Sequence, residues 1–153
     1  MTTTQQDGSP TGDPFSKAER AAMRARTAEA RAAARRARDQ DKATADAADV
    51  VQKIAGMSEP DRSLAQRLHA VITAAGPELA PRLWYGMPAY ASNGRIVCHF
   101  QAREKFDTRY ATLGFSDVAH LDDGPMWPTS YALAEAGDVD DGVVAALVHR
   151  ALR

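Results

Sequence analysis

The sequence predicts an α+β fold, in which helices pack on an antiparallel sheet of about four strands after a long basic helix. Three observations lead to this prediction. Between residues 17 and 38, ten of the 22 residues are alanine and eight are basic. Nine of the ten aromatic residues lie between residues 84 and 131, and apolar residues at helical spacing flank that stretch. Grouping helices and strands in separate blocks is typical of α+β domains and not of alternating Rossmann-type folds.

Composition narrows the class of protein. The chain has 153 residues, of which 44% are hydrophobic and 25% charged, as in a soluble globular protein with one compact domain. No apolar run approaches the roughly 18 residues that span a bilayer, and no secretory signal is visible. A single cysteine, Cys98, excludes an internal disulfide framework and a cysteine-cluster zinc site. We therefore expect a cytoplasmic protein without a membrane segment.

The first 45 residues divide into three predicted segments. Residues 1–14 contain little that could be buried and are expected to be a disordered leader. Residues 15–39 form the long basic helix, with Ser16 as its N-cap and Glu19 completing a capping box. Residues 40–45 are expected to be a linker or a helix break. The folded domain then occupies residues 46–153.

Within that domain the elements follow from local patterns. A short helical face at Val50 and Ile54 ends at Gly56, and residues 58–61 begin a second helix whose apolar positions recur every three or four residues. Strands are predicted at 84–90, 95–100, 109–115 and 127–133, the first two joined by an Asn93-Gly94 turn. Asp138 begins the last helix. In the second strand Cys98 alternates onto the apolar face and is expected to be buried.

Three stretches of this sequence resemble the YdhG-like family of small bacterial proteins. They are WYGMPAY at residues 84–90, NGRIVCHF at 93–100 and TRYATLGFSDVAHLDDGPMWPTSYAL at 108–133. The resemblance covers about residues 46–152, and YGMPAY is its most specific part. Members are largely of unknown function and are often called iron chaperones because their fold resembles frataxin. The resemblance therefore implies a frataxin-like α+β domain and, more weakly, a role with iron.

An acidic stretch provides the candidate metal site. Asp117, His120, Asp122 and Asp123 place three carboxylates and an imidazole within seven residues. Such ligands suit ferrous iron, manganese or zinc, and a loosely ligated surface site suits transient carriage of iron. The alternative is structural, since Asp122, Asp123 and the following Gly-Pro also make a good turn.

An aromatic cluster provides a candidate ligand pocket. Its members recur on neighbouring predicted strands and combine apolar surface with polar tips: Tyr85, Met87, Tyr90, His99, Tyr110 and Trp127. Ligand sites usually have this composition. The alternative is an ordinary core, because large aromatic side chains also dominate protein interiors.

The charge distribution is strongly polarised although the formal net charge is −1. Residues 17–38 carry +6, whereas residues 110–149 carry −7. A narrow stripe on the basic helix could track phosphates of nucleic acid: Arg20, Arg24, Arg31, Arg35 and Arg38. The alternatives are a solvated or docked helix, and pairing with a partner protein or a second copy. A membrane-surface helix is disfavoured, because alanine is too small for the apolar face.

No catalytic motif is present, neither a nucleophile elbow nor a glycine-rich phosphate loop. The leading hypothesis is therefore a small non-enzymatic binding protein with weak affinity for iron or another divalent cation. An interaction module that works through the basic helix and a small-molecule pocket among the aromatic residues are the other two hypotheses.

Overall fold

A computed structural model describes residues 14–153, so the predicted leader lies, except for Pro14, outside the described residues. The chain divides into two compact units, one up to Asp39 and one from Gln40 to the end. No helix within the described range is both long enough and apolar enough to cross a membrane.

The N-terminal helix, α1, spans Lys17–Ala55. It begins as predicted, because the Ser16 hydroxyl accepts a hydrogen bond from the Glu19 N–H at 3.1 Å. Residues 40–45, which were expected to be a linker or a helix break, continue the helix. They contain neither glycine nor proline, and Lys42 forms an i,i+4 ion pair with Asp46 at 2.8 Å that supports helical geometry.

The remaining elements belong to the second unit. They are α2 (Asp61–Ala75), β1 (Ala80–Trp84), β2 (Met87–Ser92), β3 (Arg95–Gln101), α3 (Arg103–Phe106), β4 (Ala111–Phe115), β5 (Ser130–Leu133) and α4 (Asp141–Ala151). The five strands form one antiparallel sheet in chain order. The α+β class and the antiparallel sheet are thus confirmed, with five strands in place of about four.

The additional strand arises where a single one was predicted. Residues 84–90 contain a turn, because Tyr85 and Gly86 have φ values of 49° and 74° and Trp84 pairs with Met87. Positive φ at both central positions is typical of the tight turns that join antiparallel strands. The chain therefore reverses within the predicted strand, and residues 80–84 pair with β2.

Other boundaries differ less. The Asn93-Gly94 turn is confirmed, with φ values of 51° and 78°. The predicted strand at 127–133 is shorter and begins at Ser130. The last helix begins at Asp141, where Asp140 accepts hydrogen bonds from the N–H groups of Gly142 and Val143 at 2.8 and 3.2 Å. Asp140 therefore takes the capping position expected at Asp138.

The hydrophobic core lies on one face of the sheet. Alternate strand residues face it, including Tyr90, Cys98, Phe100 and Leu113, and they pack with Val50 and Ile54 of α1 and with the apolar residues of α2 and α4. Cys98 is fully buried as predicted, and burial raises the pKa of its thiol to about 12. The thiol is therefore protonated at neutral pH and makes a poor nucleophile.

Candidate functional site

A cavity of about 580 Å³ lies where the C-terminal end of α1, the β1–β2 turn and α3 meet. Its apolar lining consists of Met57, Met87, Pro88, Phe100 and Ala102. These residues come from the sheet ends and from the segment that follows α1, so the fold assembles the cavity from distant parts of the sequence. Volume and lining both match those of small-molecule sites.

Charged groups of the cavity come from three helices, and one of them is Asp61 at the start of α2. Lys53 lies in the last turn of α1, and Glu104 and Lys105 lie in α3. The Lys105 ammonium group donates a hydrogen bond to the Tyr85 carbonyl oxygen at 2.8 Å and lies 5.4 Å from the centre of the Phe106 ring. Lys105 therefore connects α3 to the β1–β2 turn across the cavity.

The position of α3 depends on a buried carboxylate. Asp61 is 3% exposed, and its two oxygens accept hydrogen bonds from the N–H groups of Arg103 and Glu104 at 3.1 and 3.0 Å. Ionised acceptors at a helix start make strong hydrogen bonds and stabilise the positive end of the helix. Asp61 thus belongs to α2 but caps α3, and it fixes the wall that carries Lys105.

The β1–β2 turn forms the opposite wall. Gly86 has φ of 74°, and a Cβ atom at this position would collide with the Lys105 ammonium group. The same Cβ position is 3.9 Å from the Lys53 ammonium nitrogen. Glycine is favoured here for its backbone conformation, and the space beside it is taken by the Lys105 ammonium group.

No protein-family model, curated protein or solved structure matches this chain. The chemistry of the site is therefore inferred from its own geometry.

The structure does not bring the six residues of the predicted aromatic pocket together. Tyr90 is 1% exposed and lies in the core, where its hydroxyl is 2.9 Å from Nδ1 of His69. Burial raises the pKa of Tyr90 and lowers that of His69. Tyr90 therefore connects β2 to α2 and leaves no hydroxyl available for a ligand.

Tyr85 and His99 both contact Trp84. The Trp84 ring centre lies 5.2 Å from that of Tyr85 and 5.1 Å from that of His99, in edge-to-face geometry. Tyr85 is 80% exposed at the tip of the turn. His99 pairs with Gly114 across β3 and β4, and burial lowers the pKa of its imidazole. By strand register His99 and Tyr90 lie on opposite faces of the sheet.

The other three members of the predicted pocket are separate from one another. Tyr110 lines a different cavity of about 220 Å³, and Arg109 lies 5.0 Å from the centre of its ring. Trp127 is 36% exposed in the segment that precedes β5. Only Met87 lines the 580 Å³ cavity.

The predicted metal-ligating side chains are also not brought together. Asp117, His120, Asp122 and Asp123 are exposed in the segment between β4 and β5. Within residues 14–153, no group of three or more histidine, cysteine, aspartate or glutamate side chains is placed to hold a metal ion. The backbone N–H of His120 donates to the Ala151 carbonyl at 3.1 Å, which gives this segment a structural contact with the end of α4.

The arginine stripe lies on the first part of α1. Arg24, Arg31, Arg35 and Arg38 are exposed, and Arg20 is partly exposed. Their helical placement agrees with the predicted stripe, whereas binding of phosphates stays a prediction.

Sequence reasoning missed the residues that give the cavity its charge. Lys53 and Lys105 lie in charged helix segments, where an exposed lysine is ordinary. Asp61 was assigned to the start of its own helix, where acidic residues are common. The one available signal is Gly86, a glycine inside a predicted strand, which favours a bulge or a close approach of the backbone.

Proposed function

We propose that this protein binds a small organic molecule in the 580 Å³ cavity and acts through binding, without catalysis. The observation that carries the proposal is the cavity itself, whose floor of buried Phe100, Pro88 and Met87 adjoins two lysine side chains. A concave apolar site with a few convergent polar groups is the common form of a ligand site.

The lining supports binding in preference to chemistry. Both oxygens of Asp61, the buried carboxylate, accept backbone N–H groups, so this side chain is committed to holding α3. Cys98 is enclosed in the core, away from the cavity lining. The other polar groups of the lining suit the recognition of a polar ligand end; they are the exposed side chains of Gln52, Lys53, Ser58, Glu104 and Lys105.

Titration with N-phenyl-1-naphthylamine tests this proposal. This uncharged dye fluoresces strongly in apolar surroundings, so saturable enhancement is expected with the intact chain. Ala102→Phe fills the floor of the cavity and is expected to weaken binding at least about tenfold, since most of the apolar contact is lost. Ala70→Phe, on the exposed side of α2, is the matched control and is expected to bind normally.

A second variant is needed because Ala102→Phe enlarges a buried residue and can impair folding. Gln52→Trp enlarges an exposed residue at the cavity margin and disturbs no buried contact. It is also expected to weaken dye binding, with unchanged circular dichroism. Equal affinities for the intact chain, Gln52→Trp and Ala70→Phe would overturn the proposal.

The other hypotheses stay predictions. The frataxin-like identity of the α+β domain and the role with iron depend on the resemblance to YdhG-like proteins. Among residues 14–153, no group of three or more metal-ligating side chains adds support for the role with iron. Interaction with nucleic acid or a partner through the arginine stripe likewise depends on the sequence pattern. Calorimetry with Fe(II), and duplex binding across a salt series, test these two roles separately.

A further inference from the structure

Two ammonium groups from different helices converge on one point of the cavity wall. Lys53 lies in the last turn of α1 and Lys105 lies in α3, yet both ammonium nitrogens lie within 4 Å of the position that a Cβ atom at Gly86 would take. The Lys105 nitrogen is held there by its hydrogen bond to the Tyr85 carbonyl at 2.8 Å. The absence of a side chain at Gly86 leaves the space that the Lys105 ammonium group occupies.

The carboxylates that line the cavity, those of Asp61 and Glu104, form no ion pair with these two ammonium groups. Within the part of the chain that the structure describes, neither Lys53 nor Lys105 forms an ion pair. Two like charges brought together repel each other, and an anion placed between them relieves the repulsion.

We infer that the ligand is an amphipathic organic acid, with an apolar body on the floor of the cavity and an anionic oxygen group held by Lys53 and Lys105. This inference rests on the proposed function and specifies its ligand class. The apolar floor of Met57, Met87 and Phe100 excludes water from the body of the ligand. The two lysines at the turn supply donors and charge for its carboxylate, sulfonate or phosphate group.

The test uses a pair of dyes that differ in one group. 8-Anilinonaphthalene-1-sulfonate is N-phenyl-1-naphthylamine with an added sulfonate, so the ratio of their dissociation constants isolates the contribution of the anion. We expect the intact chain to bind the sulfonate dye more tightly, with an advantage that shrinks as salt is added. Lys53→Met and Lys105→Met should each weaken the sulfonate dye by about fivefold and leave the neutral dye unchanged.

Two further variants complete the design. Glu104→Gln removes the carboxylate from the lining and is expected to strengthen binding of the sulfonate dye. Lys42→Met is the control, because Lys42 pairs with Asp46 and does not line the cavity. Octanoate and octyl phosphate, but not octanol, should then displace the sulfonate dye. Whichever of the two anions displaces the dye at the lower concentration carries the preferred head group.

The outcomes separate this inference from the function it rests on. If the neutral dye binds in the cavity but the sulfonate adds nothing and both lysine variants behave as the intact chain, the organic-acid inference is overturned and the cavity remains a binding site. If neither dye responds to Ala102→Phe or Gln52→Trp, both proposals are overturned.

Discussion

Nδ1 of His69 lies 2.9 Å from the hydroxyl oxygen of Tyr90, and this contact joins α2 to the centre of the sheet. The two rings are 5.7 Å apart between centres. Tyr90 is 1% exposed, so its hydroxyl depends on this histidine for a hydrogen bond. The contact explains how Tyr90, a polar residue of the segment at residues 84–90, can be buried in the core.

Tyr90→Phe is expected to lower the free energy of unfolding by about 1–2 kcal/mol, since it deletes one partner of a buried hydrogen bond. Urea denaturation followed by circular dichroism measures the loss. Tyr131→Phe is the matched control, because the Tyr131 hydroxyl makes only a long contact of 3.4 Å with the Pro128 carbonyl and is exposed. Equal effects of the two substitutions would show that the His69 contact contributes nothing.

Stability is expected to fall as the pH drops below about 7, because burial lowers the pKa of both His69 and His99. Below the ordinary histidine pKa of about 6.5 the unfolded chain takes up protons that the folded chain does not, so acid favours unfolding. The loss is complete once the pH passes below the two lowered pKa values. Urea midpoints across this range provide the measurement.

The histidine responsible can be identified by substitution. His99, whose ring contacts Trp84, is replaced by asparagine, and the slope of stability against pH should become shallower. A slope that is insensitive to His99→Asn and to His69→Asn would contradict the assignment.

Local patterns were enough to predict much of the fold. Leu64, Leu68 and Ile72 recur at helical spacing and are all buried. The N-cap at Ser16 and the turn at Asn93-Gly94 each depend on residues at most three positions apart, and both are confirmed. Periodicity and turn chemistry are local properties, so the sequence displays them directly.

The site depends on contacts that no local pattern displays. Asp61 caps a helix whose first residue is 42 positions away, and its spacing in the sequence is that of an ordinary helix start. Lys53 and Lys105 are 52 positions apart in the sequence, and only the fold places both of them near Gly86. The aromatic residues are grouped in the prediction because they recur on neighbouring predicted strands, but strand alternation sends Tyr90 and His99 to opposite faces of the sheet.

Asp61→Ala is expected to lower the free energy of unfolding by about 2–4 kcal/mol, because two N–H groups of α3 lose a buried ionised acceptor. The free energy of unfolding of Asp61→Asn should lie between those of the intact chain and of Asp61→Ala, since the single amide oxygen can replace only one of the two carboxylate oxygens. Hydrogen exchange at Arg103 and Glu104 should accelerate in both variants. Asp123→Ala, at an exposed position, is the control and should stay within about 0.5 kcal/mol of the intact chain.

Gly114→Ala is expected to destabilise the fold by about 1–3 kcal/mol, because the new Cβ would lie 2.5 Å from Cε1 of His99. Gly137→Ala has no neighbour within 4 Å and serves as the control. The cause is isolated by a double-mutant cycle in which His99→Ala removes the ring. Gly114→Ala should then cost much less in the His99→Ala background, and an unchanged cost would show that the penalty arises from the strand backbone and not from the imidazole.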